Sequence, residues 1–510
     1  MIPQEFQPNQ QQQPIKESPG DLPAKSTRFN ISASCERWLL WLLSGYFGGR
    51  LLFFALAISP AVPPDEVTHA GLCTVFSKVF LLPENSAATY QYGLATNIPW
   101  LYYWIMGKLL HLNLFGLPDL LFLRLLNIPL AFGTVWYAVR LLRLLTDDRL
   151  TRLLLVVVMT NIPMFSLLSS SISYDNLTNL LAAASIYYLF AFFRERSGGL
   201  LVGSLLCQLA GTLTKVTFLP LALALCVLLV VHEAKRLWLL PAAIRRQLRE
   251  ASLAGRLAAV SLLIVAGFTL HLYAGNYLRY GSLNPSMEAV ISTTAAMEYR
   301  LDARGKIFTQ YKEGRISYMD AVILAGEINH PGDKADTFYL LMNYEKMKQN
   351  PSLWLGPLEY LKKWSWFMLI TTVGLKAHLQ LYKDEAWLIP LYLLLGASAL
   401  GFIIRWRPKD GWLPPALMTI ALFYAGFIMY EFNYESYRLY GEPSLTVYGR
   451  YLFPVLAPCT VLFCRYLLSL FGNAQLRLMV ALVTALLFIA YDFPWFLMHA
   501  TPEWFSRLPQ

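Results

Sequence analysis

Two adjacent carboxylates, Asp65 and Glu66, stand in the stretch Pro63-Pro64-Asp65-Glu66-Val67-Thr68-His69, directly after a strongly apolar run from Trp38 to Ile58. About 20 apolar residues cross the hydrocarbon of a bilayer, so the pair lies where the chain leaves the membrane. A carboxylate at that boundary can act as a base on a water-soluble group while a lipid-borne group approaches from the side. The plainer reading is a solvated loop opened by a proline stop. Other ionisable residues fall at the same level. Asp175 sits in Ser173-Tyr174-Asp175-Asn176 at an outer turn, and Arg124 and Asn127 begin another apolar run. Lys215 interrupts a long one at Thr214-Lys215-Val216, and Arg450 opens a late one in Tyr448-Gly449-Arg450-Tyr451. Charges near lipid are costly and face a cavity or each other. A common site therefore explains the shared level better than separate snorkelling side chains do. Arg50, deep in the first run, reads as an internal structural partner.

Such a set suits one reaction. Cations hold the phosphate of a lipid carrier, and a carboxylate takes the proton from an acceptor hydroxyl as it attacks the sugar carbon. The leaving phosphate is already a stable anion, so Lys or Arg need only stabilise the charge it gains. A guanidinium fork fits phosphate better than an ammonium, which favours Arg450 as the principal clamp. His69 follows Asp65 by one helical turn and could share its face beside a metal. No second His is near in sequence, so solvated surface is the better reading, with no metal ligand assigned and a divalent cation left open.

The elements that must position these residues are membrane spans. The chain has 510 residues, 56% hydrophobic and 15% charged, with mean hydropathy +0.44, which excludes an ordinary soluble enzyme. Its net charge of +10 is distributed over short loops between apolar runs, the positive-inside pattern, and not gathered in one nucleic-acid-binding patch. The six cysteines are scattered with no CxxC spacing, so no disulfide framework is implied. No GxGxxG or GxxxxGK[ST] follows a strand signal and no Asp-x-Asp occurs, which removes dinucleotide, NTP and soluble-type nucleotide-sugar sites.

The periodicity predicts an all-α polytopic transmembrane helix bundle of about 11 spans, near 38–59, 120–143, 152–168, 177–193, 200–213, 216–232, 256–275, 388–404, 413–430, 451–468 and 478–497. A Gln- and Pro-rich tail, 1–36, is expected to be disordered and cytoplasmic. The transmembrane core covers 37–275 with a first outer loop at 60–119, and a large extracytoplasmic loop region covers 276–387. The last helices occupy 388–498, before a short tail at 499–510. With the N-terminus inside, every loop placed inside is basic, including 233–255 with Lys235, Arg236, Arg245, Arg246 and Arg249. The run Leu200–Val231 is expected to be two short helices meeting near the outer face at Lys215; one long tilted helix would put that basic loop outside. The first outer loop carries two amphipathic stretches, Val67–Leu82 and Pro99–Leu112, of the juxtamembrane kind. In the large loop, Ser286–Arg300 and Asp336–Gln349 read as helical. Leu358–Leu379 reads as one Trp-rich amphipathic piece, and Pro331-Gly332 and Asn350-Pro351 read as breaks.

In order along the chain, Pro64-Asp65-Glu66-x-x-His69, Pro99-x-x-Tyr102-Tyr103, Arg124-Leu125-Leu126-Asn127, Tyr174-Asp175-Asn176, Leu213-Thr214-Lys215 and Gly449-Arg450-Tyr451-Leu452-x-Pro454 resemble the integral-membrane glycosyltransferases of the GT-C superfamily. The resemblance is closer to a bacterial branch of predicted membrane proteins. It departs from that branch at Trp364-Ser365-Trp366-Phe367, where only Gly374 remains of the glycines expected after an aromatic run. The resemblance implies a polyprenyl-phosphate-linked sugar donor and an envelope glycan, lipid or protein acceptor. It also implies inversion at the sugar carbon, a bacterial inner membrane, and an active site on the outer face. Catalysis would fall on Asp65, with Glu66 beside it and Asp175 as the second acid. Donor phosphate would be held by Arg450, Lys215 and Arg124, with His69, Tyr174, Asn176 and Tyr448 in support. Two alternatives stay open: a transporter or flippase of a lipid-linked saccharide, and a glycan polymerase or ligase. The absence of internal repeats and the siting of the charges at one face weigh against transport.

Overall fold

The computed structural model describes residues 31–86, 88–234, 253–292, 300–328 and 331–506. Among these, nine helices are long and apolar enough to cross a membrane, or ten with one bent pair counted as a span. The shorter apolar helix Gly198–Thr214 adds another, so the chain is an all-α polytopic helix bundle. In chain order, the first half contains α1 (Ala33–Ala57), α2 (Glu66–Ser77), α3 (Leu101–Leu110), α4 (Asp119–Arg143), α5 (Arg149–Thr160), α6 (Pro163–Ser169), α7 (Tyr174–Glu195), α8 (Gly198–Thr214), α9 (Leu219–Glu233) and α10 (Leu253–Tyr280). The helices α11 (Arg300–Lys312), α12 (Tyr318–Gly326), α13 (Pro331–Gln349) and α14 (Pro357–Val373) follow, then a small hairpin of β1 (Leu375–Lys376) and β2 (Gln380–Leu381). The chain ends with α15 (Glu385–Arg405), α16 (Leu413–Phe427), α17 (Glu435–Tyr440), α18 (Leu456–Ser469), α19 (Ala474–Tyr491) and α20 (Phe493–His499).

The turn at Lys215 is a true reversal. Cys226 Sγ lies 3.5 Å from Gln208 Oε1, a side-by-side contact that one continuous helix, rising 1.5 Å per residue, cannot make. At the other end Arg196 pairs with Glu233, closing the α8–α9 hairpin. The basic segment 235–249 that argued for this topology lies outside the described residues, as does the expected tail up to residue 30. Residues 33–36 belong to α1, whose first turn is capped by Ser32 accepting from Cys35 N at 3.1 Å.

The span expected at 152–168 is broken. α5 and α6 meet at 69°, because Pro163 has no N–H to continue the ladder and Asn161 turns its side chain back to Val157 O at 2.7 Å. The carbonyl released at Thr160 accepts from Arg50 Nη2 at 2.8 Å, and Arg50 also pairs with buried Asp492 on the last span. Arg50 is thus the internal structural partner its depth suggested. At the helix ends opposite Lys215, Arg152 Nε meets Glu36 Oε1 at 2.7 Å and Arg477 Nη2 meets Asp148 Oδ2 at 2.6 Å.

The amphipathic stretches between the first two long apolar helices form α2 and α3. They pack on each other through Leu72, Cys73, Phe76, Tyr102, Tyr103 and Met106, all buried. Of the stretch expected at 286–300, a short helix forms at Met287–Val290, and 293–299 lie outside the described residues. Pro331, expected as a break, opens α13 instead, the position where proline suits a helix. The amphipathic piece from Leu358 stops at Gly374 rather than Leu379, and the chain turns into the hairpin. A Cβ on Gly374 would lie 2.6 Å from Ile370 O and 3.0 Å from Leu381 O, so only glycine lets the hairpin fold back so tightly. α16 runs on through a π-helical segment, Ile428–Tyr434. The wider turn places Asn433 inward, where Nδ2 donates to Thr446 O at 2.6 Å and Oδ1 accepts from Trp364 Nε1 at 2.8 Å.

Candidate functional site

Asp65 caps the N-terminus of α2 in a left-handed conformation, φ 57° and ψ 15°, a region that aspartate tolerates at some cost. Its side chain meets a guanidinium from the far end of the sequence: Arg450 Nη2 donates to Asp65 Oδ2 at 3.3 Å. The second arm of the same guanidinium, Nη1, lies 3.9 Å from Asp175 Oδ2. Lys215 Nζ donates to Asp175 Oδ1. Asp65, Asp175, Lys215 and Arg450 therefore form one chain of alternating charge, drawn from the loop between α1 and α2, the start of α7, the α8–α9 turn and the approach to α18. Helix ends explain the convergence. Asp175 lies in the first turn of α7, whose cap Ser173 accepts from Asp175 N at 3.2 Å, and an acid there complements the helix dipole. Lys215 is the residue at which α8 ends.

Tyrosines line the cluster. Lys215 Nζ stands 4.8 Å above Tyr174 and 5.0 Å above Tyr451, and the Arg450 guanidinium stands 5.2 Å from Tyr448 and 5.5 Å from Tyr451, distances at which ring faces stabilise cations. The Arg450 segment is fixed by its glycine. Gly449 N donates to Thr371 Oγ1 at 2.8 Å, and a Cβ on Gly449 would lie 2.6 Å from Thr372 N. Buried Asp175 Oδ2 and Arg450 Nε have no hydrogen-bond partner among the described residues, an unfinished network of the kind a ligand completes. The Asp65 side chain is 36% exposed, against 4% for Asp175 and 8% for Arg450, so of these carboxylates Asp65 is the one a water-borne group can reach.

Glu66 and Arg124 stand apart. Arg124 Nε donates to Glu66 Oε1 at 2.9 Å and Nη2 to Oε2, while Arg124 Nη1 reaches the carbonyls of Ala55 and Ile58 at 2.9 and 2.8 Å. Glu66 Oε1 also accepts from Ile172 N at 2.9 Å. This bidentate pair ties α1, α2, α4 and the α6–α7 turn together, with both side chains buried. Asn176 belongs to the same framework, donating to Asn127 Oδ1, Leu168 O and Ser171 O at 3.0, 2.8 and 3.0 Å. His69 packs edge-to-face on Tyr174, ring centroids 4.6 Å apart, and its Nδ1 is 2.9 Å from Tyr103 Oη. Burial lowers its pKa to about 4, with Arg450 and Lys215 also disfavouring a charge against the pull of Asp65 and Asp175, so the imidazole is neutral at neutral pH. Among the described residues no group of three or more His, Cys, Asp or Glu is placed to hold a metal ion.

Two neighbours escaped the sequence reading. Lys376 Nζ donates to Ser444 O at 2.7 Å and Val447 O at 3.1 Å, and lies 4.4 Å over the Tyr448 ring. Burial lowers its pKa to about 8. His378 Nε2 accepts from Asp65 N at 3.3 Å. Both sit on the hairpin, and their signal was the polar Lys376-Ala377-His378 directly after an apolar helix.

No family model matches the sequence, and no curated protein sequence matches it. Among solved structures, an archaeal oligosaccharyltransferase, AglB from Archaeoglobus fulgidus in complex with an inhibitory peptide and a dolichol-phosphate, overlays with a TM-score of 0.46 at 12% identity. The overlay covers 90% of this chain and 55% of that one, so the chain spans about half that protein's length. A likeness at that score carries neither a fold nor an activity from one protein to the other.

Proposed function

We propose that this chain is a membrane glycosyltransferase that moves a sugar from a polyprenyl-phosphate carrier to an envelope glycan, lipid or protein acceptor at the outer face of a bacterial inner membrane. The observation that carries the reading is the contact between Arg450 and Asp65, with Asp175 and Lys215 behind it. Asp65 accepts the proton of the acceptor hydroxyl as its oxygen bonds to the anomeric carbon. The bond from that carbon to the phosphate oxygen breaks, its electron pair leaves with the phosphate, and Arg450 and Lys215 stabilise the charge. Asp175 holds Lys215 and flanks Arg450. Tyr448 and Tyr174 support the cations through their ring faces. Glu66 and Arg124 fill positioning roles, since their polar atoms are engaged with each other and with backbone. A divalent cation shared by Asp65 and Asp175 would have to displace the Arg450 guanidinium that already stands between them.

The test is the purified protein in vesicles with a panel of polyprenyl-phosphate sugars and an envelope extract as acceptor source. Wild type forms a covalent glycosylated product and releases polyprenyl phosphate. Asp65→Asn is expected to abolish both, and unchanged transfer in that variant rejects the role. Movement of the donor across the bilayer with no covalent product supports a flippase instead.

A further inference from the structure

Asp65 is held in an uncommon backbone conformation, and something must hold it. The loop Val62–Asp65 is bonded twice by one residue from a distant part of the chain. His378 N donates to Val62 O at 3.0 Å, and His378 Nε2 accepts from Asp65 N at 3.3 Å. The backbone amide is the donor, so Nε2 is the accepting ring nitrogen in this contact. His378 sits at the tip of the β1–β2 hairpin, closed by Ala377 N to Leu379 O at 3.0 Å.

The hairpin itself is anchored to the segment that carries Arg450. Lys376 donates to Ser444 O and Val447 O, and Thr371, just before the hairpin, accepts from Gly449 N. Lys383, just after it, donates to Val373 O. One short hairpin thus touches Asp65 on one side and the Arg450 approach on the other, and these two residues are separated by 385 positions in sequence.

We propose that His378 is a positioning residue for the transfer reaction: its imidazole fixes the backbone of Asp65 so that the carboxylate faces the acceptor beside Arg450. The proposal rests on the glycosyltransferase reading above. A misplacement of about 1 Å can lower a rate about 100-fold when geometry sets the barrier. Loss of the imidazole acceptor lets the left-handed turn relax and acts on kcat, leaving the donor phosphate contacts and KM for the donor unchanged.

The experiment compares His378→Phe, which removes the acceptor and keeps a ring, with His378→Gln, whose side-chain carbonyl can accept near the Nε2 position. Asp65→Asn is run in the same vesicles with the same polyprenyl-phosphate sugars. With Asp65→Asn inactive, His378→Phe is expected to lower kcat about 10- to 100-fold with KM for the donor within about twofold, and His378→Gln to recover most of the loss. An unchanged kcat in His378→Phe overturns the proposal. So does a His378→Gln variant as slow as His378→Phe. Should His378→Phe not purify, His378→Lys, which can donate but not accept, gives the same loss of kcat or overturns the proposal by retaining full rate. An active Asp65→Asn variant instead overturns the reading on which the proposal stands.

Discussion

Asp65 and Glu66 are neighbours in sequence and opposites in environment. Glu66 is buried against Arg124, its two oxygens taken by the guanidinium and by Ile172 N. Asp65 is partly open, strained in its backbone, and joined to Arg450 at a longer 3.3 Å contact in a network that leaves Asp175 Oδ2 and Arg450 Nε without hydrogen-bond partners among the described residues. A closed pair of this kind holds elements together, and its loss is felt in stability. An unfinished one has electrostatic capacity left for a ligand, and its loss is felt in turnover.

Four outcomes would break or sharpen that contrast. Arg450→Gln should lower transfer about 100- to 1000-fold, as removal of a single oxyanion-type donor does, with the thermal unfolding midpoint in detergent nearly unchanged. A large drop in midpoint with normal specific activity would place Arg450 with the structural pairs. Glu66→Gln should do the reverse, destabilising by about 3–5 kcal/mol because Arg124 is left buried and uncompensated. Adding Arg124→Met to it should restore much of the midpoint, and a double variant no more stable than the single one would contradict the pairing. Chelation should leave transfer unchanged, since Arg450 supplies the positive charge between the carboxylates; a metal-dependent rate, restored by added divalent cation, would show that the guanidinium is displaced during turnover.

The smallest expected change in stability concerns Lys383, beside the hairpin. Burial lowers its pKa from 10.5 to about 7. Between about 7 and 10.5 the unfolded chain binds a proton that the folded chain does not, so stability rises with pH across that window and is flat below it. The midpoint should climb from pH 7 to 9, with a shallower climb in Lys383→Met. Lys376, lowered to about 8, contributes in the same direction, so some slope remains. An identical slope in Lys383→Met would contradict the assignment.

Much of the bundle was legible because apolar length and loop charge are local signals. The reversal at Lys215 could be read from one cation in a run too long for one span. Asp65, Asp175, Lys215 and Arg450 stood out because ionisable residues at span ends are few. What could not be read was pairing. Glu66 and Arg124 lie at the same level as Asp65 and Arg450, and composition does not say which carboxylate meets which cation; a bidentate fit and the released carbonyls of Ala55 and Ile58 decide it. Asp492, the partner of Arg50, sits 442 residues away. The bend at Asn161–Pro163 was hidden in an unbroken apolar run. The hairpin with Lys376 and His378 was absorbed into the amphipathic piece before it, because two-residue strands carry no periodicity.

The most direct test of the central claim is a cryo-EM structure of the protein in a nanodisc with a polyprenyl phosphate. The account predicts phosphate density against the Arg450 guanidinium and the Lys215 ammonium, with Asp65 facing its open side and the isoprenoid chain leaving toward lipid. Phosphate density at the opposite face of the bundle, or at the outer face away from Arg450 and Lys215, would contradict it.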